Sequence, residues 1–101
     1  MIKFVCNAFS LQMINGLSSY NVKVNEIFHW KEIMRDNPNA ISAIGHADTA
    51  AVLGLPCNRV NVSLTKGDSI IVCQLIGGRL PEGSTTLPEG FTFKFFLVTI
   101  E

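Results

Sequence analysis

Hydrophobic and polar positions along the chain predict five extended segments. Continuous apolar, β-branched and aromatic runs at residues 2–8, 69–76 and 91–100 are typical of buried strands. Residues 59–64 alternate strictly between polar and apolar, which predicts a half-buried strand. The turn residues Lys66, Gly67 and Asp68 would join this strand to the next as a hairpin. Residues 21–24 alternate over a shorter span and predict a short strand or extended lead into a helix.

Two helices are expected between these segments. Residues 25–35 place Ile27, Trp30, Ile33 and Met34 on one apolar face, with Asn25 as a natural N-cap. Residues 47–53 are rich in alanine and are followed by glycine and proline, which predicts a short helix. The order of elements indicates a single α/β domain over residues 1–101, with a mixed sheet of about five strands and helices packed on it.

Composition narrows the classes of ligand. The chain has 101 residues, 48% of them hydrophobic, which is enough for one domain with its own core. Eight basic residues balance eight acidic ones, which argues against binding to long DNA or RNA but allows a small anion held by a few placed cations. No run approaches the ~20 apolar residues of a membrane helix, so no membrane association is expected.

Neither the cysteines nor the known catalytic motifs indicate a metal or cofactor site. Three cysteines without a CxxC pattern, Cys6, Cys57 and Cys73, predict reduced, buried thiols in a cytoplasmic protein. The sequence contains no P-loop, GxGxxG, HExxH or GxSxG motif, and only two histidines. We therefore expect no metal site and no cofactor.

The two histidines differ in their setting. His46 follows Gly45 at the start of the second predicted helix, where free backbone amides could hold a phosphate beside the imidazole. The alternative is that His46 only caps the helix. His29 lies beside Trp30, off the apolar face of the first predicted helix, and is expected to be structural or solvated.

Two arginines could bind a phosphate. Arg79 lies in "RLPEG" and could fork around phosphate oxygens, while Glu82 could orient Arg79 or contact a ligand hydroxyl. The alternative for these two is a surface ion pair. Arg59 opens the predicted strand 59–64, and the pattern leaves its role open between ligand binding and solvation.

Four short motifs together resemble a known family, the viral ring nucleases, which are small type III anti-CRISPR proteins. The motifs are "NAFSL" at residues 7–11, "AIGHADTA" at 43–50, "NRV" at 58–60 and "RLPEG" at 79–83. They occur in the family's order, and with the strands between them the resemblance spans nearly the whole chain.

The resemblance implies an activity and a set of site residues. It implies a homodimer that cleaves the second messenger cyclic tetra-adenylate (cA4) without a metal, in the host cytoplasm if the protein is viral, and so silences type III CRISPR effectors. His46 would be the general acid, with Arg79 and Glu82 also catalytic. The glutamine of the family transfers to Gln74, which lies farther from Arg79 here than in the family pattern; the Gly77-Gly78 pair would account for the difference. The ligand-binding positions implied are Asn7, Ala8, Ser10, Gly45, Arg59 and Gln74.

Two other functions remain compatible with the sequence. A protein with the same pocket could sequester a cyclic nucleotide without cutting it, and only turnover would separate the two. A protein-interaction module could instead block a host protein through an exposed sheet edge.

Overall fold

A five-stranded mixed sheet organises the chain in the computed structural model, which describes residues 2–16 and 19–101; residues 17 and 18, in the polar stretch between the first two predicted strands, lie outside it. The sheet order is β2-β5-β4-β1-β3, with β5 antiparallel to both its neighbours and β1 parallel to both of its own. The elements are β1 (Ile2–Cys6), β2 (Val22–Ile27), α1 (Trp30–Asp36), β3 (Ile41–Ser42), α2 (Ala47–Leu53), β4 (Ser69–Ile76) and β5 (Thr92–Ile100). The predicted α/β class with a mixed sheet of five strands is confirmed.

The centre of the sheet is buried on both faces, which explains the continuous apolar run of β4. Ile71 and Cys73 pack on the face covered by the helices, and Ile70 and Val72 pack on the opposite face. Trp30 of α1 stacks on Phe95 of β5, with ring centroids 5.0 Å apart. The two helices therefore lie on one face, and the loop segments around Ile14 and Leu64 pack against the other.

The first predicted helix begins five residues later than expected. Residues 25–27 continue β2 and pair with β5, so Asn25 lies opposite Leu97 and is not an N-cap. His29 occupies the N-cap position, without a capping hydrogen bond from its side chain, and is exposed. Pairing along the long β5 outweighs the local preference of Asn25 for a helix start. The predicted apolar face of the helix is confirmed for Trp30, Ile33 and Met34, which pack on the core, whereas Ile27 packs on it from β2.

The predicted strand 59–64 is wrong, and so is its hairpin. This segment is irregular, and its one β-bridge joins Leu64 to Ile14 in parallel. The turn at Lys66 and Gly67 exists, but the Gly67 amide donates to the Ile100 carbonyl at 2.7 Å. The fifth strand is instead β3, two residues long, which the sequence pattern did not reveal. Two residues are too few to show an alternating pattern, and β3 pairs in parallel with Phe4 and Val5 of β1.

Two of the three cysteines are buried, and one is not. Burial raises the pKa of the Cys6 thiol to about 11 and that of Cys73 to about 12, so neither is a ready nucleophile. Cys57 is exposed, which corrects the prediction that all three thiols are buried. Within the described ranges, no helix has the length and apolarity needed to cross a membrane.

Candidate functional site

Three parallel strands deliver the predicted site residues to one edge of the sheet. β3, β1 and β4 run in the same direction, so their carboxyl ends meet at this edge. Asn7 follows β1, His46 follows β3 after three loop residues, and Arg79 follows β4 after two glycines. Ligand sites of α/β sheets commonly lie at such an edge. Asn7, His46 and Arg79 therefore lie at the same edge of the sheet.

A cleft of about 700 Å³ opens at this edge. It brings together the predicted catalytic residues His46, Arg79 and Glu82 with the predicted ligand residue Asn7. Only Arg79 and Glu82 are near each other in the sequence. The lining residues are Asn7, His46, Asp48, Thr49, Cys73, Leu75, Gly78, Arg79, Leu80 and Glu82.

His46 lines the cleft, and its imidazole does not cap helix α2. It occupies the N-cap position of α2 with extended backbone, and its carbonyl accepts a hydrogen bond from the Ala50 amide at 3.0 Å. Its side chain makes no capping hydrogen bond and is exposed. The first turn of α2 already carries the carboxylate of Asp48, which complements the positive end of the helix. The positive end of α2 is therefore already complemented by a carboxylate of the chain itself.

Gly45 allows the side chain of Arg59 to cross the loop that leads to His46. The Arg59 Nε donates a hydrogen bond to the Gly45 carbonyl at 3.1 Å. A Cβ at Gly45 would lie 3.1 Å from the Arg59 Cγ, which is closer than ordinary van der Waals contact. Arg59 is exposed and does not line the cleft, so the structure places it against the loop before His46.

Residues just before Arg59 also form hydrogen bonds with the loop that leads to His46. The backbone amide of Asn58 donates a hydrogen bond to the Ile44 carbonyl at 2.9 Å, and its side-chain Nδ2 donates to the Ser42 carbonyl at 2.8 Å. The Ser42 hydroxyl donates in return to the Pro56 carbonyl at 2.7 Å. Together with the bond from Arg59, these bonds tie residues 56–59 to residues 42–45.

Two glycines and one buried leucine set the position of the loop that carries Arg79 and Glu82. Gly77 and Gly78 end β4 with φ of 122° and 116°, values that L side chains rarely adopt. Leu80 between Arg79 and Glu82 is buried. Among the residues described, the ion pairs are Lys3–Asp68 and Glu32–Arg35, so Glu82 does not brace Arg79 through a direct salt bridge.

Gln74, Ala8 and Ser10 lie away from His46. Cys73 and Leu75 face the 700 Å³ cleft, so Gln74 between them points to the opposite face of β4. There it lines a groove of about 440 Å³ together with Ala8 and Asn7. Ser10 borders a third cleft, of about 380 Å³, and its Oγ accepts a hydrogen bond from the Gln12 amide at 3.2 Å. Asn7 borders all three.

Asp48 and Thr49 belong to the motif at residues 43–50, but the sequence analysis gave neither a role in the site. Both lie in the first turn of α2 and line the cleft, and the Asp48 carboxylate accepts a hydrogen bond from the Gly83 amide at 3.0 Å. Their position two and three residues after His46 was the available signal. No cluster of three or more His, Cys, Asp or Glu side chains that could hold a metal ion occurs within residues 2–16 and 19–101.

Comparison with known proteins places these features in context. The family model described as STIV B116-like matches residues 3–92. Among solved structures, B116 of Sulfolobus turreted icosahedral virus is similar, with a TM-score of 0.77 and 23% sequence identity. The match covers 98% of this chain and 99% of that chain, and at this identity it shows the fold alone. No match to a curated protein was found.

Proposed function

Because the chain belongs to the STIV B116-like family, we propose that it is a ring nuclease that cleaves cA4 without a metal. The products would be linear di-adenylates ending in 2′,3′-cyclic phosphate, and loss of the messenger would shut off type III CRISPR effectors. The family match agrees with the resemblance of the four sequence motifs to viral ring nucleases. The activity, the ligand and the anti-CRISPR role are our proposal.

One observation carries the proposal. Asn7, His46 and the loop that carries Arg79 and Glu82 come from three separate segments of the chain and line a single cleft. A proton donor, a guanidinium, a carboxylate and an amide are the groups that cleavage of a phosphodiester next to a ribose hydroxyl can use. A purely structural role for these residues would not require that they converge.

The substrate supplies its own nucleophile. The ribose 2′-oxygen attacks the adjacent phosphorus, the bond from phosphorus to the 5′-oxygen breaks, and the hydroxyl proton passes to solvent. Arg79 would neutralise the phosphate oxygens, and His46 would protonate the leaving 5′-oxygen. Glu82 makes no salt bridge with Arg79, so we assign its carboxylate to a ribose hydroxyl. The protein mainly holds the reacting atoms in line.

The homodimer is part of the proposal. The ring is symmetric, and two copies of one cleft across a two-fold axis would cut opposite linkages. Two copies of Arg59 and Arg79 would also add cations close to the phosphates while each chain remains neutral overall. Light scattering on the purified protein with and without cA4 tests this directly; a monomer in both cases would contradict the two-fold arrangement.

The decisive test compares the two histidines. Purified protein is mixed with cA4 in EDTA, and products are followed by mass spectrometry for the wild type, His46→Ala and His29→Ala. A positioned general acid contributes about 10² to 10⁴ in rate, so His46→Ala should raise the barrier by roughly 3 to 5 kcal/mol. His29→Ala is the matched control, since His29 is exposed and lies outside the cleft.

Each outcome has a definite meaning. Conversion to di-adenylate by the wild type and by His29→Ala, but not by His46→Ala, supports the proposal. Tight binding with an intact ring would make the protein a sequestering protein. An intact ring without binding would refute the ligand, and equal loss in both histidine variants would refute the role of His46.

A further inference from the structure

One hydrogen bond ties the two halves of the cleft to each other. Asp48 is in the first turn of α2, two residues after His46, and its Oδ1 accepts the Gly83 amide at 3.0 Å. Gly83 follows Glu82 in the loop after β4. Resting on the function proposed above, we propose that Asp48 is a positioning residue, which holds the loop with Arg79 and Glu82 in register with His46.

The turn at residues 81–84 explains why this amide is available. The Ser84 amide donates to the Pro81 carbonyl at 3.2 Å, which closes a four-residue turn. Gly83 is its third residue and has φ of 80°, as a type II turn requires. The Ser84 hydroxyl also donates to the Pro81 carbonyl, at 2.6 Å. The Gly83 amide is not used within the turn, so it is free to point out to the Asp48 carboxylate.

The other attachment of this loop is hydrophobic. Leu80 is buried between Arg79 and Pro81, so the chain is anchored at Leu80 and again at Gly83. Glu82 lies between the two anchors, and Arg79 lies just outside the first. Buried apolar contact does not fix direction, whereas a hydrogen bond donated to a carboxylate does. The bond to Asp48 is therefore the contact that orients Glu82 relative to α2.

The chemistry of Asp48 separates a positioning role from an acid–base role. Asp48→Asn removes the charge and the titration but keeps a carbonyl oxygen that can accept the Gly83 amide. Asp48→Ala removes the acceptor. A positioning residue predicts that Asn rescues what Ala loses, while a proton-transferring residue predicts that both variants lose activity. Asp36→Ala, an exposed carboxylate at the end of α1, is the matched control.

Kinetics on cA4 form the first half of the test. We expect Asp48→Ala to lower kcat by roughly 10- to 100-fold, with a smaller change in KM, because a displacement of reacting groups by about 1 Å can cost about 100-fold in rate. Asp48→Asn should stay within about 3-fold of wild type, with an unchanged pH profile. Equal losses in the Asn and Ala variants, or no loss in either, would overturn the proposal.

Amide NMR spectra form the second half and do not depend on activity. The resonance of the Gly83 amide, and those of residues 79–84, should shift in Asp48→Ala and stay close to wild type in Asp48→Asn and Asp36→Ala. If the wild type fails to cleave cA4, the proposed function falls, but these spectra still decide whether Asp48 holds the loop. Unchanged spectra in Asp48→Ala would overturn the positioning role whatever the activity.

Discussion

Adding a single methyl group at Gly45 tests how the loop before His46 is held. The new Cβ would lie 3.1 Å from the Arg59 Cγ, so the side chain of Arg59 must move by a few tenths of an ångström or swing away. Gly45 does not have a positive φ, so its backbone accepts alanine without strain. The conflict is therefore with the Arg59 side chain and with the bond from its Nε to the Gly45 carbonyl.

The magnitudes nearly cancel in the single variant. Replacing glycine by alanine at a compatible position stabilises by about 0.4 to 1 kcal/mol through the unfolded chain. Loss of one hydrogen bond costs about 0.5 to 1.5 kcal/mol. Gly45→Ala alone should thus change the free energy of unfolding by less than about 1 kcal/mol. That value by itself does not separate the gain from alanine from the loss of the hydrogen bond.

A double-mutant cycle separates the two effects. In the Arg59→Ala background neither the clash nor the hydrogen bond exists, so Gly45→Ala should stabilise by about 0.4 to 1 kcal/mol. The effects of the two substitutions should therefore differ from additivity by about 1 kcal/mol. Urea unfolding at one fixed protein concentration measures all four proteins. Additivity within about 0.3 kcal/mol would refute the contact between Arg59 and Gly45.

Two further predictions concern stability. Partial burial pushes the pKa of the Asp68 carboxyl upward, but hydrogen bonds from Thr65 and the nearby Lys3 ammonium outweigh it, and the pKa is lowered overall. Asp68→Ala should therefore cost about 1 to 3 kcal/mol in urea unfolding at pH 7, and the difference from wild type should shrink as the pH falls below about 4, as the wild-type carboxyl is protonated. Exposed Glu89→Ala is the control, and a cost that does not vary with pH would contradict the role of the charge. At the end of β4, Gly77→Ala should destabilise more than Gly78→Ala, because both have positive φ but only at Gly77 would a Cβ meet backbone, 2.8 Å from the Gly90 carbonyl oxygen. Gly78→Ala should cost about 1 to 3 kcal/mol from strain alone, and equal thermal shifts in the two variants would contradict the close approach.

The pattern of apolar residues predicted correctly the elements that are followed directly by glycine or proline. β4 and α2 match the predicted residues 69–76 and 47–53, since glycines or proline end both, and apolar runs fill both. The segment from Asn25 to Ile27 was misassigned because its fate depends on β5, about seventy residues later in the chain. The spacing of apolar residues indicates which side chains will be buried on one face. It does not show whether a strand distant in the sequence will form hydrogen bonds with the same backbone.

The site was predictable where residues follow strand ends and unpredictable where it depends on side-chain direction. Asn7, His46 and Arg79 follow parallel strands, and the sheet brings them together. Gln74 faces away from the cleft because consecutive residues of β4 point to opposite faces of the sheet. This alternation does not continue through the two glycines after the strand, so the spacing from Gln74 to Arg79 does not show on which face Arg79 lies. The ligand roles implied for these residues remain predictions.

The cleft of a single protomer has no excess of positive charge to offer the proposed anionic ring. The cleft contains one guanidinium, from Arg79, and two carboxylates, from Asp48 and Glu82, so with a neutral imidazole its formal charge is −1. Net charge therefore does not draw a polyanion into a single protomer. The Asp48 carboxylate is engaged by the Gly83 amide and lies at the positive end of α2, which weakens its repulsion of a phosphate. Binding would then rest on where Arg79 and the neighbouring Arg59 stand relative to each phosphate, and on the second protomer of the proposed dimer. Long nucleic acids gain affinity from the number of cations they meet, whereas a ring of fixed shape can be recognised by the position of a few.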